Sequence, residues 1–329
     1  MHMADALVSP TVAGAMGIVS GVLLVVAGKN IKNSRTENRI PLMGVMGAFI
    51  FAAQMINFSI PGTGSSGHIV GGVLLSVLLG PWAALITLAS VLVIQCLLFA
   101  DGGLMALGCN IFNMAVCTCL IAYPLIFRPL MKYPASLGRI FWLSVFTCVI
   151  GLELGAVAVT LEAEASGITA LPLVRFLLFM LPIHLVIGIG EGLATAAVLS
   201  FIQKYKPELL GEAEQREMIP SRKKTGIRKV VIVFALLAVL LGISFRWIAS
   251  SDPDGLEWSV SRVMGSTELP VAAKGIYGMS QDIQESTALM PDYNSGFAGI
   301  VGGVVVVLLT WGISYLFRHK RKVISKPDD

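Results

Sequence analysis

Apolar runs long enough to cross a lipid bilayer recur along nearly the whole chain, and no other feature limits its fold so strongly. A helix needs about 20 apolar residues to span the hydrocarbon core. Backbone polar groups find no water there, so only helices and closed barrels cross it. Such runs occupy residues 8–27, 42–58, 82–100, 107–127, 140–161, 182–201, 230–248 and 297–317. A shorter one, 68–79, ends at Gly80-Pro81 and completes the set. Another, 171–181, is too short to span upright and is placed at the membrane interface. Only 13% of the 329 residues are charged and 55% are hydrophobic, against about 25% charged in a soluble domain. The chain is therefore expected to be an all-α polytopic membrane protein. Its net charge of +4 says where loops lie and is no argument for nucleic acid.

The loops divide by sign. Lys29, Lys32, Arg35 and Arg39 follow the first run, Arg128, Lys132 and Arg139 the fifth, and Lys204 and Lys206 the seventh. Placing these in the cytoplasm puts the N-terminus outside and the C-terminus inside. Three parts result. Residues 1–206 form a seven-helix membrane domain. Residues 207–229, with Arg222, Lys223 and Lys224, form a cytoplasmic linker. Residues 230–329 form a two-helix module whose connection, 249–295, is acidic and extracytoplasmic. The basic run Arg318-His319-Lys320-Arg321-Lys322 anchors the end inside. No period of 20–50 residues recurs, so the chain is no repeat array.

The candidate chemistry sits at the N-terminus. The Met1 amine, the amide nitrogen between Met1 and His2, and the His2 imidazole can close two fused chelate rings on one ion. That gives three nitrogens in a plane and one open corner, a set that suits Cu(II) or Ni(II). No charged segment or cleavage site precedes the first run, so Met1 is read as retained. His68 and His184 fall on the same predicted face as His2, while His319 lies in the basic tail. Residues 59–67 spell G-x-G-x-x-G at Gly62, Gly64 and Gly67, but without the strand and soluble helix of a nucleotide fold. They are read as a mobile connection that delivers His68.

Polar side chains inside membrane runs face protein or a site. Gln54 and Asn57, Asn110 and Asn113, Glu153, His184 and Glu191 are such residues. A metal-bound imidazole is oriented by what its second nitrogen bonds, so Asn57, Asn110, His184 and Glu191 are candidate orienting partners. Interhelical bonding for packing is the alternative reading. Glu153 and Glu191 also offer the carboxylates of a proton-coupled carrier, and a membrane sensor or enzyme is a third class. Gly44, Ala48 and Ala52 form a small-residue stripe that permits close helix approach. Cys96, Cys109, Cys117, Cys119 and Cys148 lie in apolar surroundings and read as core residues. There is no H-E-x-x-H, no G-x-S-x-G and no ATP-binding loop, so an enzyme is not expected and any ATP is bound by another chain.

Met1-His2 with Asp5, Gly67-His68 after a glycine-rich loop, and Pro182-Ile183-His184-Leu185 running into Gly188-Ile189-Gly190-Glu191-Gly192 resemble the NikM/CbiM family. Those proteins are the substrate-binding membrane subunits of energy-coupling-factor transporters for nickel and cobalt. The similarity covers residues 1–205. Pro253-Asp254-Gly255-Leu256-Glu257 resembles the PDGLE motif of the NikN partner, so the chain looks like a NikMN-type fusion. The resemblance implies a ligand set of the Met1 amine, the His2 amide and imidazole, and His68 at the fourth corner. It implies Ni2+ as substrate, with Co2+ as a second ion, and no nucleotide on this chain. Its implied partners are a membrane coupling subunit and two cytoplasmic ATPase subunits. The stripe Gly44, Ala48, Ala52 is where the coupling subunit is expected to dock. Met3, where relatives carry another apolar residue, is given a packing role, and Ala6 stands where the pattern often has Gly.

Overall fold

The computed structural model describes residues 1–33, 40–169, 171–210, 227–267, 275–293 and 297–324. Most of the linker, and the basic residues Arg35, Arg39, Arg222, Lys223 and Lys224, lie outside them. The described helices in the first two thirds of the chain are α1 (Pro10–Asn33), α2 (Ile40–Gln54), α3 (Gly72–Leu79), α4 (Pro81–Phe99), α5 (Leu107–Leu130), α6 (Leu137–Ser166) and α7 (Leu173–Tyr205). Then come α8 (Ile227–Ile248), α9 (Gly255–Met264), α10 (Ile276–Thr287) and α11 (Ala298–Ile324). Among the described residues, α1, α4, α5, α6 and α7 are long and apolar enough to cross a membrane. The protein is a multi-pass helical membrane protein.

The helices sort by exposure. α4 and α3 lie at the centre; every residue of α3 is buried. α1, α6 and α7 turn large apolar side chains outward, among them Val22, Val25, Trp142 and Leu178. A surface of that kind suits lipid. Inside, small residues let backbones meet. A Cβ on Gly299 of α11 would lie 2.4 Å from the Gly242 Cα of α8. Such contacts replace the hydrophobic drive that lipid cannot supply.

Four expectations change. Residues 59–67 are not a loose connection: Phe58–Ile60 (β1) and Ser65–Gly67 (β2) pair antiparallel, with Phe58 opposite Gly67. His68 does not open a helix, because α3 begins at Gly72 and runs only eight residues, about 12 Å. Residues 171–181 are no separate interfacial piece. Residues 173–181 are the first turns of α7, which continues through Pro182 and is 33 residues long. A proline leaves one carbonyl without its usual partner and clashes with the preceding turn, but packed neighbours in membranes tolerate that. Likewise α6 does not stop before Glu162. It continues to Ser166, and Glu162 is buried, accepting from Asn113 Nδ2 at 2.7 Å.

The stripe on α2 is also reassigned. The Gly44 position lies 3.6 Å from Val307 of α11, and a Cβ on Gly303 would touch the Ala48 methyl at 3.5 Å. Ala48 and Ala52 are buried. The stripe is filled by the chain's own C-terminal helix, so it is no free docking face. Packing this close should punish added volume. We expect Gly299→Leu to lower the unfolding temperature in detergent, at a cost of about 1–3 kcal/mol or more. The lipid-facing Val25→Leu should leave it unchanged.

Candidate metal centre

The N-terminus is held inside the bundle. Met1 is 4% exposed and Met3 is fully buried. The backbone of Met3 is clamped on both sides: its N–H donates to Asn110 Oδ1 at 2.7 Å, and its carbonyl accepts from Asn110 Nδ2 and from the Gly103 amide. Asp5 accepts from the Ala106 amide at 3.0 Å and from the Ser280 hydroxyl at 2.7 Å. These bonds fix where the first two residues lie. The Met1 amine ends 3.1 Å from His68 Nε2, and the His2 and His68 rings stack with centroids 5.1 Å apart.

Each imidazole is set to one tautomer. His68 Nδ1 lies 3.1 Å from the Ile69 carbonyl. A carbonyl only accepts, so the proton is on Nδ1 and Nε2 turns its lone pair to the amine. Burial, reinforced by the Met1 ammonium, holds His68 well below its ordinary value, so the ring is neutral. His2 is set through a relay. Gln54 Nε2 donates to the Val70 carbonyl, Gln95 Nε2 donates to Gln54 Oε1, and Gln95 Oε1 therefore accepts from His2 Nε2 at 3.0 Å. That leaves the lone pair on His2 Nδ1, the atom that closes a chelate with the amine and amide. Nδ1 in turn faces Asp101 Oδ1 at 3.3 Å.

Glu191 accepts from the Val70 and Gly71 amides at 2.7 and 2.9 Å, which pins the turn behind His68. Asn110 and Glu191 thus fix the position of ligand-bearing backbone. Asn57 does not: its carbonyl accepts from the Ser250 amide, and it lines the cleft with no hydrogen bond to His2 or His68 among the described residues. His184 Nδ1 donates to the Met180 carbonyl and leaves Nε2 without a partner. Among the described residues no three His, Cys, Asp or Glu side chains converge as metal ligands. A site whose donors include a terminal amine and a backbone nitrogen needs only two such side chains. The five cysteines are buried and unpaired.

The acidic connection between α8 and α11 closes over this site. The Pro253 carbonyl accepts from the Ser66 amide at 2.8 Å, extending the hairpin edge. Asp254 caps α9 through Oδ1, accepting from the Leu256 and Glu257 amides, while Glu257 returns a bond to the Asp254 amide. Its Oδ2 takes the Met1 ammonium at 2.7 Å. Gly255 lies against His184 and Ile187, where a Cβ would come within 2.9 Å of Ile187. Leu256 is buried, and Trp258 donates to the Thr63 carbonyl. Each residue of the motif therefore has a physical task in one lid. Gln95 and Asp254 are what sequence reasoning missed as site residues. Gln95 was the lone amide of its apolar run, a signal the membrane rule supplies. Asp254 was legible only as a motif letter, because nothing in sequence joins it to Met1.

Beside the lid lies a cleft of about 850 Å³ bordered by His2, His68 and the carboxylates Asp5, Asp101, Asp252, Asp254, Glu257 and Asp292, with no Lys or Arg among the described residues that line it. Such a cleft concentrates cations. A helical membrane bundle that holds its own amine beside two oriented imidazoles, at the edge of an acidic cleft, has the form of a transition-metal transport protein. Residues 2–209 match CbiM, the cobalt uptake substrate-specific transmembrane region, and residues 228–319 match the PDGLE domain. The chain belongs to this CbiM family of nickel and cobalt transport proteins. A relative in Archaeoglobus fulgidus, named as a fused nickel transport protein NikMN, is 32% identical over 95% of this chain and 98% of its own. The fused nickel transport protein NikMN of Rhodobacter capsulatus is 27% identical over 90% of this chain and 89% of its own. A crystal structure of a transition metal transporter superposes with a TM-score of 0.56 at 30% identity, covering 69% of this chain and 100% of that one.

Two outcomes follow for the lid and relay. Burial alone would raise the Asp254 carboxyl, but the Met1 ammonium beside it carries it well below the usual carboxylate range. A depressed carboxylate stabilises the fold above its unfolded value, about 3.9, and loses that effect only as pH falls through the lower folded value. Protection of the Leu256 and Glu257 amides from hydrogen exchange should thus persist to about pH 4 and disappear in Asp254→Ala at pH 7. Gln95→Leu should weaken metal binding about 10- to 100-fold by freeing the His2 ring, as titration of the purified protein would measure.

Proposed function

We propose that the protein binds Ni(II), with Co(II) as a second ion, at the extracytoplasmic face and presents it for ATP-driven import. In this reading it is the substrate-binding subunit of an energy-coupling-factor transporter. A membrane coupling subunit and two cytoplasmic ATPase subunits complete the machine. The observation that carries it is the 3.1 Å approach of the Met1 amine to His68 Nε2, with the His2 ring stacked against His68. The ligands are the Met1 amine, the His2 amide and Nδ1, and His68 Nε2. Four nitrogens in a plane favour d8 Ni(II) over Zn(II), which prefers a tetrahedron. The nickel named in two fused relatives supports the same ion. The basic residues between apolar runs support an N-terminus outside.

The metal-free amine is an ammonium paired with Asp254. The ion must displace that proton and the proton of the His2 amide, so binding releases protons and weakens in acid. On metallation Asp254 loses its ammonium hydrogen-bond donor, while the ion, with the amide proton gone, leaves one positive charge at the site. A proton-coupled carrier using Glu153 and Glu191 is less well supported. The Glu191 carboxylate is committed to two backbone amides, and no hydrogen bond joins it to Glu153 among the described residues.

Acetylating the Met1 amine tests the chelate directly. It removes the lone pair of the amine while leaving the His2 and His68 side chains in place. We expect Ni(II) binding to the purified protein, and its planar-complex absorption band, to vanish. Binding that survives acetylation overturns the ligand set. Uptake in the full assembly that continues with the ATPase subunits removed overturns the transporter class.

A further inference from the structure

We propose that α10 is an interfacial helix, with Ile276, Met279 and Ile283 sunk among lipid acyl chains at the membrane boundary on the side of the N-terminus. The proposal is independent of the ligand set above. It concerns how one wall of the acidic cleft is held, whatever ion enters.

α10 has three faces. At 3.6 residues per turn, Tyr277, Ser280 and Gln284 share one, Ile276, Met279 and Ile283 a second, and Gln281, Asp282 and Glu285 a third, spaced roughly 120° apart. The first face is bonded to the bundle. Tyr277 Oη donates to the Val8 carbonyl at 2.9 Å and Ser280 Oγ to Asp5 at 2.7 Å. Gln284 Nε2 donates to the Cys96 and Gly102 carbonyls at 3.0 and 2.7 Å. Tyr277 and Gln284 also line the cleft. The third face is exposed and polar, with Gln281 Nε2 donating to Glu285 Oε1. The second is apolar and open: Ile276, Met279 and Ile283 are 54%, 65% and 49% exposed. A helix on a soluble surface turns its apolar stripe toward the protein. α10 turns polar groups inward and offers a separate apolar flank. Water disfavours such a flank in proportion to its area, whereas hydrocarbon accepts it.

The depth of α10 fits that surrounding. Val8 lies two residues before α1 begins, and Cys96 lies in the last turn of α4, which ends at Phe99. Both helices are long and apolar enough to cross a membrane. α10 is therefore bonded at the level where spanning helices end, not above it. From that level α1 carries an outward apolar face onward through Ile18, Val22 and Val25. The connection that contains α10 leaves α8 just beyond Trp247, which is exposed in the last turn of that helix. Tryptophan at a helix end favours the headgroup level of a bilayer. An interfacial helix places its apolar face about 5–10 Å into the boundary between headgroups and chains.

Charge defines the kind of lipid. Asp282 and Glu285 flank the stripe, and α10 contains no Lys or Arg. Interfacial helices draw on anionic headgroups through basic residues. Without them the seat is apolar contact alone, and it fits zwitterionic lipid. One face of α10 is thus fixed to the bundle and another to the bilayer, with the cleft beside it.

The test uses the full chain in phosphatidylcholine nanodiscs, with a spin label on Ile283→Cys or on its solvent-facing neighbour, Asp282→Cys. The native cysteines are buried, and labelled wild type gives the background. Oxygen concentrates in lipid, and chromium oxalate stays in water. The ratio of oxygen to chromium oxalate collisions should be about threefold or more higher at Ile283→Cys than at Asp282→Cys. Opposite behaviour at adjacent positions also shows that α10 is formed. Met279→Cys repeats the measurement at a second position of the stripe, in case one label disturbs the helix. Adding anionic phosphatidylglycerol should leave the ratio unchanged. Equal access of chromium oxalate to all three positions puts the stripe in water and overturns the proposal. Stripe labels shielded from both reagents show that protein covers it, a second copy or another subunit, and overturn it equally. A ratio that rises with phosphatidylglycerol overturns the apolar account of the seat.

Discussion

A primary ammonium buried in a membrane protein cannot stand alone, because moving an unpaired charge out of water costs several kcal/mol even after relaxation. Here the Met1 ammonium meets Asp254 at 2.7 Å, with His68 Nε2 at 3.1 Å. The rest of the structure is arranged to make that meeting possible. Asn110 and Asp5 hold the first residues in place, the hairpin 58–67 supplies an edge that Ser66 joins to the Pro253 carbonyl, and Gly255 lets α9 settle onto α7. The pair also ties the two family-matched parts of the chain to each other. The amine that would take the ion is the group that the lid holds in its absence.

The fused second part thus has a structural meaning at both ends. α11 packs along the small-residue face of α2, and its connection to α8 covers the site. A stripe of small residues shows that something approaches closely; it does not say what. In lipid the partner of such a stripe is decided by shape, and α11 of the same chain fits it. The outward apolar faces are instead on α1, α6 and α7.

Much of the candidate site was legible as an expectation before any coordinates. The N-terminal chelate, His68, Asn110 and Glu191 were all singled out from residue type and spacing or from resemblance. Asn110 and Glu191 proved to orient backbone and not the rings, because their partners are amides of Met3, Val70 and Gly71. Asn57 carried the same polar-in-membrane signal as Gln54, but it lies past the end of α2 and its carbonyl bonds the Ser250 amide, while Gln54 joins the relay to Gln95. Gln95 went unread although it directly fixes the His2 tautomer. Pattern rules mark that a buried amide has a partner, and the choice of partner is a three-dimensional matter.

By itself the sequence determined that this is a multi-pass helical membrane protein, because hydrocarbon leaves a spanning backbone few choices and the apolar runs record that demand residue by residue. It also set the donors that the proposed chelate would use, since the Met1 nitrogen, the amide and His2 are neighbours by covalent bonding. Tertiary structure decided everything that joins distant residues. It bent the chain before α3 so that His68 faces Met1, merged residues 173–181 into α7, and brought Asp254 across 253 residues to the amine. The reason is the same in each case: local propensity and polarity fix what a residue can bond, but only close packing of many segments fixes which bond is made.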